Sequence, residues 1–453
     1  MTQTAWVLSL TQFYLGLGFM LFFLALELGL AWVLFVLRVQ ARRKNAALLA
    51  YRFWVRIYAL ALIVGFATSL PLLLQLGTLW PLLMDRMGEV VGPLVALAVL
   101  TAFVFKSCFL GAMLYGQRTL SGAAHTTVVG MVAVGASLTA WWLMVLLAWM
   151  QRPVGTLSTE NHYQITDWAV LLFGGVAPEM FGLLLTGGLM LVAALMLAVT
   201  AQRTRARPSD EGDRTVFAGA TWLLLLMIVL QLALATQLGR QLLPVQPARL
   251  AATLPQWQSG PPVRPALFAW LDVPAGDSHW SLKGPALPQS FLPPATESGP
   301  PATVSNYVLT GLNELIGVRP PVWITFASSR LALVFTSVLF LLALWAFWLA
   351  RRLEFEPDSL SAARRNMLRT SLWLALAVQV AGWTHLLIGS LPYAVEGAVT
   401  FRQIGAAQDA GTLWAILLVQ LVVYAALALG FRQLLGHTLR YGVVPVARHR
   451  GRA

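Results

Sequence analysis

The sequence predicts an all-α integral membrane protein with nine transmembrane helices, and three observations carry that reading. Of its 453 residues 58% are hydrophobic and 11% charged, against roughly 25% charged in a soluble domain; the mean hydropathy is +0.72. Nine apolar segments each come close to or exceed the roughly 20 residues that a helix needs to cross a bilayer. The sequence between them is short except at 240–324, where many of the 24 prolines collect.

The first segment, 13–37, precedes the first basic residue, Arg38. A cleavable leader needs a positive region ahead of its apolar run, so this run is expected to remain as a span with its N-terminus outside. Segments at 57–76, 90–115, 124–149, 171–200 and 216–239 complete a six-helix membrane part, 1–239. Most of the 31 basic residues, including Arg42, Arg43, Lys44, Arg203, Arg205, Arg207, Arg351 and Arg352, fall after segments one, three, five and seven and in the tail. Positive loops stay in the cytoplasm, which predicts N-out, C-in for a multi-pass protein of the bacterial inner membrane. The stretch 240–324 is then external, and is expected to be an extended, partly ordered loop with a short helix near Pro247 to Leu254. Segments at 325–350, 368–392 and 411–435 form a three-helix part, 325–453, that ends in a basic cytoplasmic tail.

The net charge of +13 is assigned to topology and anionic headgroups, so membrane lipid is an expected partner and nucleic acid is not. One cysteine, Cys108, excludes an intrachain disulfide and a multi-cysteine metal site. No CxxCH motif for c-type haem occurs. Tryptophans such as Trp80, Trp149, Trp168, Trp257 and Trp323 fall near span ends, as an aromatic belt requires.

The third segment is interrupted by Lys106. A charge inside a span costs roughly 2.5–3.5 kcal/mol on insertion scales, so it faces a protein interior, a watery cavity or a partner. Glu27 and Glu179 are intramembrane carboxylates by position. A salt bridge from Lys106 to Glu27, to Glu179 or to a carboxylate of another chain is the expected arrangement, because an unpaired buried charge is the costliest one. An ion path through these residues is the alternative.

Several stretches taken together resemble subunit I of the cytochrome bd-type quinol oxidases. LSLTQF at 8–13 with ELGLAW at 27–32, YRFWVRIYAL at 51–60 with GFATSLPLLLQLGTLW at 65–80, and GEVVGPL at 88–94 with FKSCFLG at 105–111 are similar to its first three helices. VAVGASLTAWWLMVLLAWMQRPVG at 132–155 resembles the fourth, and its WMQxPVG end is the most specific match. QPARLAATLPQW followed by PALFAW resembles the start of the family's quinol-binding loop, and AGWTHLLIG at 381–389 its eighth helix. The resemblance implies two four-helix bundles plus one peripheral helix, with the long external loop between helices six and seven.

It also implies residues that are absent. The family's haem-ligand positions fall on Met20, Ala98, Lys106, Leu183 and Ala332, while the arginine preceding the last of these is kept as Arg330. The loop lysine and glutamate linked to quinol fall on Arg249 and Leu254, and the helix-eight glutamate on Leu387. Haem iron needs an axial donor that alanine and leucine do not supply. Met20 and His385 are candidate substitute ligands, although methionine on an apolar span is ordinarily packing and a lone histidine ordinarily structural. His125 reads as interfacial. Arg249 reads as a solvated loop arginine, or as a residual quinone contact without its proton acceptor.

Three functions follow as expectations. One is a cofactor-depleted structural subunit, holding no haem itself and paired with a second, haem-bearing bd-like subunit, in the place of a subunit II that the resemblance implies is a related haem-free bundle. Another is an oxidoreductase subunit holding haem b or d through substitute ligands. The third is a haem-free carrier or ion path using Lys106, Glu27 and Glu179.

Overall fold

The computed structural model describes residues 2–159, 162–205, 207–286, 288, 291 and 307–441. Among these, nine helices are long and apolar enough to cross a membrane: Gln3–Gln40, Asn45–Thr78, Pro81–Arg118, Gly122–Gln151, Trp168–Arg203, Glu211–Val245, Val322–Arg352, Ala362–Ile388 and Ala410–Arg440, here spans 1 to 9. They are the nine segments expected, eight of them extended at both ends, while span 8 begins earlier than expected and ends at Ile388 rather than at 392. Where a cap is visible it is a short polar side chain: Thr2, Ser121, Asp210 and Ser361 accept from the first-turn amides of spans 1, 4, 6 and 8.

Spans 1 to 4 pack together, as do spans 5 to 8, and span 9 lies mainly along spans 1 and 2. Spans 1 and 5 bury 72% and 83% of their apolar windows, whereas spans 7 and 9 bury 17% and 22%. The first pair is therefore the axis of the molecule and the second lies at its outside. The two groups meet at a glycine seam: a Cβ on Gly29 would stand 2.5 Å from the carbonyl oxygen of Gly188, and one on Gly188 would meet that of Ala25. Small residues let backbones approach where lipid offers no hydrophobic drive to associate. Gly188→Ala is expected to cost about 1–3 kcal/mol through overpacking, seen as a lower unfolding midpoint in detergent; an unchanged midpoint would remove the seam from the account.

Span 3 is not a uniform helix. Its ladder opens into a π-helical stretch at Ala102–Ser107 before resuming at Cys108–Tyr115. Such stretches often mark functional positions, and this one carries Lys106.

The long loop between spans 6 and 7 departs from the expectation of an extended chain. The short helix is there, at Pro247–Thr253. It is followed by an antiparallel hairpin, Ala266–Asp272 with Asp277–Lys283, whose turn uses Gly276 at φ +67°. Leu250, Leu254, Trp257, Leu271, Leu309 and Leu312 make a small core against Val322 and Phe326 at the head of span 7. Proline punctuates this loop but does not prevent a core, because apolar residues lie between the prolines. Most of the Pro-rich run at 287–302, and the end of the basic tail beyond 441, lie outside the described residues.

Candidate functional site

Span 1 places Glu27 and span 3 places Lys106 on facing surfaces, 2% and 3% exposed. The Lys106 ammonium lies 2.9 Å from Glu27 Oε1 and donates to Oε2 at 3.2 Å. Tyr58 of span 2 donates its hydroxyl to Glu27 Oε1 at 3.4 Å, and the ammonium sits 5.1 Å from the centre of the Phe66 ring. Three spans thus surround one ion pair. Such a pair tolerates burial only when hydrogen bonds occupy what remains of both groups, and Tyr58 and the Phe66 face serve that purpose.

The pair lines an apolar cavity of about 250 Å³ between spans 1 to 4. Met20, Ala98, Thr139 and Met150 stand on its wall, and no histidine or cysteine does. Leu183 packs in the apolar core, and Ala332 is half-buried on span 7. Glu179 belongs elsewhere: Gln241 of span 6 donates to its Oε1 at 2.6 Å. Cys108 is exposed.

A second cluster ties the loop between spans 6 and 7 to the span ends. Arg249 is 2% exposed, so the reading of it as a solvated loop arginine is wrong. The loop helix turns it inward, and its Nη2 donates to Gln151 Oε1 at 2.7 Å and to the Leu386 carbonyl at 2.6 Å. Gln151, the last residue of span 4, also donates to Ser390 Oγ at 3.2 Å and receives Gln246 Nε2 on its carbonyl at 2.8 Å. Leu254 is buried in the loop core. Arg330 secures the far side of the loop, donating to the Ala266 and Thr253 carbonyls at 2.7 and 2.8 Å while lying over Phe326. His385 meets the Thr325 carbonyl through Nδ1 at 3.1 Å. His125 is fully buried rather than interfacial, with Nε2 3.1 Å from the Met113 carbonyl.

Gln151, Gln246 and Glu396 escaped the sequence reading. Gln151 and Gln246 had a signal, since they sit inside WMQxPVG and QPARLAATLPQW; Glu396 had none. Burial lowers the Arg249 guanidinium to about 10, partly opposed by the charge of Glu396, so it remains a cation at neutral pH. Burial pushes the Glu396 carboxyl up to about 7, opposed by Arg249. Between the ordinary carboxyl value and about 7 the folded chain holds a proton that the unfolded chain has released. Stability should therefore fall as pH rises through that window and level off above it. Unfolding midpoints from about pH 5 to 8 should decline in the parent and stay flatter in Glu396→Gln; parallel profiles would refute the assignment.

Against known proteins, the family model described as cytochrome bd terminal oxidase subunit I matches residues 8–443. The chain is similar to the cytochrome bd-II ubiquinol oxidase subunit 1 of Escherichia coli (strain K12), 28% identical over 286 residues, which cover 62% of this chain and 55% of that relative. That match spans little more than half of the relative's length. Similarity to the cytochrome bd ubiquinol oxidase subunit 1 of Bacillus subtilis (strain 168) is 25% identity over 411 residues, 88% of this chain and 85% of that one. The fold is similar to that of a chain in the bd oxidase from Geobacillus thermodenitrificans, with a TM-score of 0.81 at 22% identity over 95% of this chain and 98% of the other. With the family model covering nearly all of its length, the chain belongs to the cytochrome bd terminal oxidase subunit I family.

Proposed function

We propose that this chain is a cofactor-depleted subunit I, a structural partner to a haem-bearing bd-like subunit in a respiratory oxidoreductase complex. Members of the family normally bind haem and work as complexes. The observation that carries the proposal is the buried Lys106–Glu27 pair, which lines the cavity at a position where the resemblance places a haem-site carboxylate. The residues present do not fit a haem there. The cavity's one carboxylate is bonded to Lys106 and Tyr58, Ala98 donates nothing, and the thioethers of Met20 and Met150 are the only soft donors on the wall. Among the described residues no group of three or more His, Cys, Asp and Glu side chains could hold a metal ion.

The pair supplies locally the compensated charge that a liganded cofactor would otherwise bring, and it lets the four-helix group close without one. The vacated ligand positions, Met20, Ala98, Lys106, Leu183 and Ala332, thereby become packing or pairing positions. Arg249 keeps the loop closed over span ends 4 and 8 and takes no part in quinol chemistry, since Leu254 cannot accept a proton. Glu179 is bonded to Gln241 and not to the pair, which argues against a continuous ion path. The complex sits in the bacterial inner membrane with the basic span ends towards the cytoplasm.

The test is the visible absorbance spectrum of the purified chain, with haem content by pyridine haemochrome. The expected result is no stoichiometric haem in the isolated chain, with haem recovered only when a second bd-like subunit co-purifies. One haem or more per isolated chain would overturn the proposal.

A further inference from the structure

At the basic end of the molecule, the C-terminal turn of span 5 and the first turns of span 8 enclose a recess of about 230 Å³. Its walls include Gln202, Thr204, Arg205, Arg365, Asn366 and Arg369, and no carboxylate. Basic residues at this end are expected from topology alone, so what matters is how they are compensated. Nearby arginines have acidic partners: Arg203 lies 2.6 Å from Asp213, Arg207 3.1 Å from Asp210, and Arg214 3.2 Å from Glu356. The Asp358 carboxylate accepts from the Ser209 amide and hydroxyl. Among the described residues, none of Arg205, Arg365 and Arg369 forms an ion pair.

Arg365 is fixed in place without being neutralised. Its Nε donates to the Leu360 carbonyl at 2.9 Å, its Nη1 to Thr204 Oγ1 at 2.5 Å and to the Ala201 carbonyl at 3.3 Å, and its Nη2 to the Asp358 carbonyl at 3.1 Å. All four acceptors are uncharged. A guanidinium held rigidly by neutral groups, flanked by two more arginines and by the Gln202 and Asn366 amides, is a preorganised cationic cradle at the membrane surface. Four of the five N–H donors of Arg365 are spent on these bonds, so it offers the recess its charge and one N–H, while the guanidinium groups of Arg205 and Arg369 supply the planar donors that match phosphate oxygens. Basic recesses between transmembrane helices take phospholipid headgroups.

We infer that the recess between spans 5 and 8 binds a phosphate group through Arg205, Arg365 and Arg369. The source is either the headgroup of an anionic phospholipid or free inorganic phosphate, and the two share the same recognition chemistry. The bound phosphate compensates the three arginines and clamps the span 5 and span 8 ends together.

The test uses the full chain in nanodiscs, with native mass spectrometry counting retained phosphatidylglycerol against phosphatidylcholine. The chain is expected to retain phosphatidylglycerol. The double variant Arg205→Gln/Arg369→Gln should bind it about thirtyfold more weakly, at roughly one surface charge's attraction per arginine removed. Arg365 is left intact because its bonds hold the fold. Arg205→Lys/Arg369→Lys should keep most of the binding, which separates lost charge from lost folding. In lipid-free detergent, inorganic phosphate raising the unfolding midpoint of the parent but not of the double glutamine variant would assign the site to free phosphate. The control Arg351→Gln/Arg352→Gln removes the same charge outside the recess. If it loses as much lipid as the test variant, or if the test variant matches the parent in both arms, the inference is overturned.

Discussion

Lys106→Met is expected to destabilise the chain by about 3–5 kcal/mol, the cost of leaving one member of a buried ion pair without its partner. Methionine keeps the unbranched stem of lysine and lacks only its terminal ammonium, so the loss is chiefly electrostatic. Glu27 would remain 2% exposed, with the 3.4 Å bond from Tyr58 as its one remaining partner. The double variant Lys106→Met/Glu27→Leu should recover most of the loss, because replacing both members of a buried pair with apolar groups of similar volume is often neutral or stabilising. Chemical unfolding in detergent of the parent, both single variants and the double variant closes the cycle. A single variant as stable as the parent, or a double variant worse than the sum of the singles, would show that the pair does not secure the four-helix group.

Arg249→Met should have a comparable effect, about 3–6 kcal/mol, by stripping two short bonds from buried acceptors. The Gln151 carboxamide oxygen and the Leu386 carbonyl each lose a charged donor, and bonds to charged groups are worth about 1.5–3 kcal/mol apiece. The damage should be local. The loop helix Pro247–Thr253 would lose its anchor to spans 4 and 8, while Arg330 would still hold the hairpin side. Limited proteolysis should then cut within 240–260 in the variant and spare the parent. If the cleavage pattern and unfolding midpoint match the parent, Arg249 does not anchor the loop.

Much of the architecture was legible in the sequence because hydropathy is a local quantity. Nine apolar runs were visible without knowing how they pack, and so was the short helix after Pro247, whose proline opens a helix at its first turn. The hairpin at Ala266–Lys283 was hidden because bulges break its alternation and prolines dominate its surroundings. Arg249 was misread for a related reason. An arginine between prolines in a hydrophilic stretch looks solvated, and only the turn of the loop helix sends it against Gln151, 98 residues earlier in the chain.

Hydropathy alone makes the chain a nine-span helical membrane protein, and motifs such as WMQxPVG mark its family. The cost of a buried charge narrows the partners of Lys106 to a few carboxylates. The choice among them is made by packing. The choice depends on how spans 1, 2 and 3 rotate about their axes, with the π-helical stretch at Ala102–Ser107 aiming Lys106 at Glu27, 79 residues away, while Glu179 turns to Gln241. Apolar periodicity specifies that a face is buried. Which neighbour it meets is settled by the close approaches that glycines such as Gly29 and Gly188 permit.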